Sequence, residues 1–142
     1  MGSLTPLTEV LIMRNVLTIC GLLVLALITA LGPALAAGTA VSLEEQLANN
    51  GFALGAEVPA ITDYRLDDRI YLDSRHLIVP DGESRSYLVR LAKKCHSLHS
   101  NRLRLRTHTR NQIAPRDTVL PQYEGRSVDD CEVTQIHQLV PK

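Results

Sequence analysis

The chain has 142 residues, with 15 basic and 15 acidic side chains and hence no formal net charge at neutral pH. That length holds one domain and excludes a large multidomain enzyme, and the balanced charge excludes a polyanion binder driven by overall charge. Hydrophobic residues make up 45% of the sequence and aromatics only 4%, but the excess is local: 23 of the first 36 residues are apolar, whereas 14 of the 15 residues of each sign lie after residue 36.

Val16 to Leu31 carries no charge, is preceded by Arg14, and is followed by Gly32-Pro33 and then Ala34-Leu35-Ala36. A basic start, an apolar stretch, a helix breaker and a small-x-small pair predict a signal peptide over residues 1–36, cleaved after Ala36. An uncleaved anchor is the alternative. A span needs roughly 20 apolar residues, and extending this run backwards meets Arg14 and Glu9. Glu9 and the lack of Lys or Arg before Met13 leave both Met1 and Met13 open as the start. No small residue stands just before Cys20, which argues against a lipid-anchored cysteine.

Export would leave two cysteines, Cys95 and Cys131, and two thiols in an oxidising compartment most simply form one disulfide. Closing that loop would remove roughly 4 kcal/mol of unfolded-state entropy. A redox or nucleophilic thiol is the alternative, but the CxxC spacing that would support it is missing.

Residues 37–57 read as a short helix or linker, with Ser42-Leu43-Glu44-Glu45 as a capping box and Asn50-Gly51 as a stop. Residues 58–142 read as a β-rich, disulfide-bridged domain. Ile61 to Leu66 alternates imperfectly, and Ile70-Tyr71-Leu72 is a compact apolar run. His76-Leu77-Ile78-Val79 and Ser86-Tyr87-Leu88-Val89-Arg90-Leu91 flank the Pro80-Asp81-Gly82 turn signal and predict a hairpin. Leu66 to Tyr71 is echoed by Leu72 to Leu77, a small duplication that would lengthen one hairpin. Lys93 to Asn101 reads as a turn or a single helical turn. Arg102-Leu103-Arg104-Leu105-Arg106 alternates strictly, as a strand with one wet face does. Asp117 to Leu120 is a short strand candidate bounded by Pro115 and Pro121. Val133, Ile136 and Leu139 are spaced by three, fitting a helix or a bulged strand, and β-branched content favours the strand. The whole predicts a mainly β fold: a small antiparallel barrel or sandwich of five to six short strands, with one or two short helices at most.

The ordered set Ile61…Tyr64, Asp73 to Val79, Tyr87 to Leu91, Cys95-His96-Ser97-Leu98 and Cys131 to Ile136 resembles the DUF6491 family of small exported bacterial proteins of unknown function. The resemblance covers roughly residues 58–140. Family members usually carry two further cysteines, one before the Ile61 segment and one before the Val119 strand. The corresponding stretches here, near Glu57-Val58-Pro59 and Asn111-Gln112-Ile113, have none. The resemblance implies that those two pair with each other, leaving Cys95 and Cys131 as a pair. It implies export and a disulfide, and no reaction or ligand.

Three constellations bear on chemistry. His96 and His99, with His108 further on, would make a Zn²⁺ or Cu²⁺ site if they converged, but residues 85–116 supply no Asp or Glu ligand. Arg102, Arg104 and Arg106 would present a row of guanidinium groups to a phosphate, sulfated glycan or anionic lipid head. The competing reading pairs them with acids, since residues 85–116 hold nine Lys or Arg and no acid while both flanking segments are acid-rich. Asp67-Asp68 and Asp129-Asp130 are adjacent, so in strands they would point to opposite faces rather than form a dyad, and no nucleophile-elbow motif occurs. The expectation is therefore a periplasmic or secreted, non-catalytic binding or structural module without a cofactor. An anionic ligand or an envelope protein is its candidate partner. Nucleic acid is excluded, and membrane contact is confined to the signal peptide before cleavage.

Overall fold

The computed structural model describes residues 40–142. The expected signal peptide, its cleavage after Ala36, Cys20 and the choice between Met1 and Met13 lie outside the described residues. Helix α1 (Leu43–Asn49) begins where the capping box places it: Ser42 Oγ accepts a hydrogen bond from the Glu45 amide at 3.2 Å. Gly51, at φ 82°, then reverses the chain.

Strand β1 (Phe52–Glu57) follows at once, in the stretch expected to be helix or linker. Its sequence lacks alternation because its pairing slips beyond Leu54, where β1 lies against the last strand. Gly55 sits in that irregular stretch, and a Cβ there would run into the backbone carbonyl of Gln138. The chain continues through β2 (Ile61–Thr62), a 3-10 turn (Leu66–Asp68), β3 (Ile70–Asp73), β4 (His76–Pro80) and β5 (Ser86–Leu91). The expected hairpin is β4–β5, in register from His76↔Arg90 to Pro80↔Ser86. The two echoed hexamers end at Tyr71 and Leu77, which face each other across the β3–β4 hairpin.

After a loop come β6 (Leu103–Arg106), β7 (Gln112–Ile113), β8 (Thr118–Tyr123), β9 (Arg126–Ser127) and β10 (Cys131–Pro141). Pro121, expected to end its strand, lies within β8. Its carbonyl accepts from the Val128 amide, so its missing N–H faces the β9 side, beyond the Cys131–Glu132 pairing with β10. The β8–β9 turn uses Glu124 and Gly125, both at positive φ, as a tight hairpin requires.

The architecture is mainly β, as the sequence predicts. A curled antiparallel half-barrel runs β3-β4-β5-β10-β8-β6, with β1 added to β10, β9 to β8, and a separate β2–β7 pair. Both faces of the central strands are covered. Leu77, Val79, Tyr87, Val89, Val133 and Ile136 enter the main core with Cys95, Leu98 and Cys131. Ile78, Leu88 and Leu139 point the other way, onto Leu47 and Leu43 of α1. A register shift between Val133 and Gln135 explains the spacing of three in β10: it puts Val133 and Ile136 in one core and leaves Leu139 for the other.

Candidate functional site

Cys95 and Cys131 are bonded to each other, with Cα atoms 5.7 Å apart, and are 3% and 0% exposed. The bridge ties the loop after β5 to the start of β10 inside the main core. Among the described residues, Cys95, Cys131 and Asp129 are the one set of three metal-capable side chains whose ligand atoms converge. The bond between the two sulfurs removes both thiolates that a metal would need.

The three histidines do not come together. Residues 96–99 form a turn with Ser97 at φ 59°, not a helical turn, so His96 and His99 share no face. His96 Nδ1 lies 3.2 Å from Asp129, His99 packs edge-on against Tyr71, and His108 Nδ1 lies 2.7 Å from Asp117.

The arginine row is exposed as expected, but its three members differ. Strand β6 starts at Leu103, so Arg102 stands just before it, and β6 closes one edge of the sheet. Arg106 approaches Asp130 at 3.6 Å, both side chains being more than half exposed. Among the described residues no carboxylate lies within 4.0 Å of Arg102 or Arg104, which line a hollow of about 230 Å³ together with Asp67, Asn101 and Gln122. Charges on an edge strand also discourage pairing with another chain.

Three carboxylates prove to be the polar anchors of the loops, Asp81 and Asp117 buried and Asp129 partly so. Asp81 accepts from the Glu83 and Arg85 amides, Arg85 Nε and the Tyr87 hydroxyl. Asp117 accepts from the His108 and Ala114 amides and from the His108 ring. Burial pushes both carboxyls up, but the hydrogen bonds from Arg85 and from His108 head a set of donors that outweighs it, and both lie below the ordinary value. Asp129 is held lower still, first by the His96 amide, then by Lys93 Nζ at 2.9 Å.

A second polar arrangement was not singled out from the sequence. On the face that α1 covers farther along, a row runs across four strands: Asp73, His76, Arg90, Gln135. His76 Nδ1 is 2.9 Å from both Asp73 oxygens, Arg90 Nε donates to His76 Nε2 at 3.3 Å, and another Arg90 N–H donates to Gln135 Oε1 at 3.0 Å. An arginine is always a donor, so Nε2 is the accepting nitrogen and Nδ1 carries the proton toward Asp73. Arg75 donates to the Ala92 carbonyl, and Thr134, the residue left unpaired by the β10 bulge, donates to the Arg90 carbonyl. Arg75, His76, Arg90, Leu91, Ala92 and Thr134 line an open cleft of about 390 Å³. The sequence signal was the way the second echoed hexamer differs from the first: Ser74-Arg75-His76 stands where the first has Asp68-Arg69-Ile70.

The model of a family described as "Family of unknown function (DUF6491)" matches residues 14–142, and the chain belongs to that family. No curated protein and no solved structure matches the chain.

Proposed function

We propose that this member of the family is an exported, periplasmic or secreted β-domain that acts by binding rather than by catalysis. The observation that carries the export reading is the buried Cys95–Cys131 disulfide, a bond that persists in oxidising compartments. The apolar run Val16 to Leu31 with Ala34-Leu35-Ala36 behind it supports the same reading. The non-catalytic part rests on where the carboxylates are spent. Asp81, Asp117 and Asp129 each hold backbone amides, and two of the three histidines singled out from the sequence are hydrogen-bonded to those carboxylates.

Cell fractionation and intact mass of the natively expressed protein, with and without reduction before alkylation, test the reading. The expected mass begins at Ala37 and shows no alkylation until reductant is added. A mass that begins earlier, or two thiols alkylated without reductant, overturns it.

One observation favours a second reading. Arg102 and Arg104 stand over a hollow without an ion-pair partner among the described residues. They would hold a sulfated or phosphorylated glycan through bidentate hydrogen bonds. Binding to heparin or lipopolysaccharide should then weaken steeply with salt. Charge reversal at Arg104 that leaves such binding intact sinks this reading.

A further inference from the structure

We propose that the cleft between the β3–β4 turn and the bulge of β10 is a binding site for a phosphoryl group, held by Arg75 and Arg90. The proposal deepens the binding reading above and rests on it, but it is independent of the compartment.

The charge in this cleft is uncompensated by design of its hydrogen bonds. Three arginines elsewhere meet acids: Arg85 meets Asp81 and Glu83, Arg65 meets Asp68, and Arg106 meets Asp130. In the cleft, Arg75 is held by the Ala92 carbonyl, and Arg90 by the neutral acceptors His76 Nε2 and Gln135 Oε1. No carboxylate lines the cleft, and among the described residues none lies within 4.0 Å of either guanidinium. Each arginine has five N–H donors. The bonds named engage one on Arg75 and two on Arg90, so donors remain on both.

The neutral acceptors also fix the geometry. His76 is only 13% exposed and is itself held by Asp73, so the chain from Asp73 through His76 to Arg90 and Gln135 keeps the Arg90 fork in place before any ligand arrives. A fork oriented in advance loses less freedom when it binds an oxyanion. The bulge that leaves Thr134 unpaired opens the ladder at this point, and bulges of this kind commonly re-aim side chains beside binding sites. The nearest carboxylate of the row, Asp73, is taken up by His76 Nδ1 and the Arg75 amide, so the two guanidinium groups keep a positive excess that suits an oxyanion of more than one charge. A phosphomonoester group, close to a dianion at neutral pH, is the simplest such ligand.

Inorganic phosphate is the probe, titrated into the isotope-labelled full chain at low ionic strength while amide and arginine side-chain NMR signals are followed. The expected result is saturable shifts at Arg75, Arg90 and the Thr134 amide, with a Kd of about 1 mM or lower. Arg75→Gln and Arg90→Gln should each weaken binding about tenfold or more, as loss of a charge-assisted hydrogen bond does. Arg90→Lys, which keeps the charge but not the fork, should weaken it as well. Arg104→Gln, on the other edge, should leave it unchanged. Arg75 is exposed and makes one side-chain hydrogen bond, so its variant keeps the test open if a change at Arg90 unfolds the protein. Shifts that never saturate, binding unaffected by Arg75→Gln, dependence on Arg104, or acetate bound as tightly as phosphate each overturn the proposal. The export reading fails or stands on the mass measurement alone, so the two failures are distinguishable.

Discussion

Asp117 offers the sharpest test of how this fold holds its long loop. It is 1% exposed, and its side chain accepts from the His108 amide at 2.9 Å, the His108 ring at 2.7 Å and the Ala114 amide at 2.7 Å. Its own carbonyl accepts from Val133 of β10 at 2.8 Å, so the residue joins the loop between β6 and β8 to the core strand. Asp117→Asn keeps shape but not acceptors. With the amide oxygen toward His108, the new NH₂ faces the Ala114 N–H; with it toward Ala114, the NH₂ faces the His108 N–H. Either way one buried backbone donor loses its partner and the surviving bonds lose their charge. The cost should be about 2–4 kcal/mol. For a domain near 100 residues that lowers Tm by roughly 10–25 °C. Urea unfolding monitored by circular dichroism measures it. The sign with pH also follows. The folded Asp117 carboxyl lies below its unfolded value of about 4, so its stabilisation is complete above that value and is lost as pH falls through the folded one. The gap between wild type and variant should therefore be widest at neutral pH and narrow in acid. A gap under about 0.5 kcal/mol at neutral pH, or one that widens in acid, would refute the assignment of Asp117 as the loop's anchor.

Other outcomes follow from the same packing. Replacing both Cys95 and Cys131 by Ala should cost about 4 kcal/mol, because the bridge spans 36 positions of chain; reductant should shift the wild-type urea midpoint toward that of the double variant. Leu47→Ala removes the side chain with which α1 covers Ile78, Leu88 and Leu139, and should cost about 2–4 kcal/mol, with α1 amides losing exchange protection before the β4–β5 amides do. Gly55→Ala drives a Cβ into the Gln138 carbonyl and should cost about 1–3 kcal/mol, read as faster amide exchange along β1. Asp129 stabilises above its unfolded value and releases that stability as pH falls through its lowered one, so Asp129→Asn should flatten the acid limb of the stability profile measured by urea titration.

Sequence carries the fold where apolar runs are bounded by explicit turn and cap chemistry. The β4–β5 hairpin follows from two apolar runs around Pro-Asp-Gly, the Ser42 cap from its capping box, and the mainly β class from the succession of short strand patterns and turn signals. Strand β1 is illegible because its pattern is broken by a slipped register and by a glycine needed for close backbone approach. Strands β2, β7 and β9 have two residues each, too short for any period. The positions of β2 and β7 nevertheless fit the pairing of two further cysteines that the family resemblance implies and this chain lacks. Ile113 of β7 lies opposite Ile61, and Val58 packs on the same core as Ile113, so the two stretches where those cysteines would fall are neighbours here.

The candidate site was harder to read, for a physical reason that the arginines expose. Arg102, Arg104 and Arg106 attract notice in sequence because they alternate, yet alternation reports only which face is wet. Arg75 and Arg90 have no period at all, and one lies in the β3–β4 turn while the other lies on β5. What makes them a site is a cross-strand register, His76↔Arg90 and Gln135↔Arg90, that sequence spacing cannot display. Register decides something further. Had Arg90 met a carboxylate across the sheet, its charge would be spent on stability; opposite a neutral imidazole and an amide, it is held in position and left unpaired. The segregated charge of the chain is thus only partly neutralised in the fold. The acids after residue 116 take up Lys93, His96, Arg106 and His108, while the Arg75–Arg90 pair keeps its charge for whatever enters the cleft.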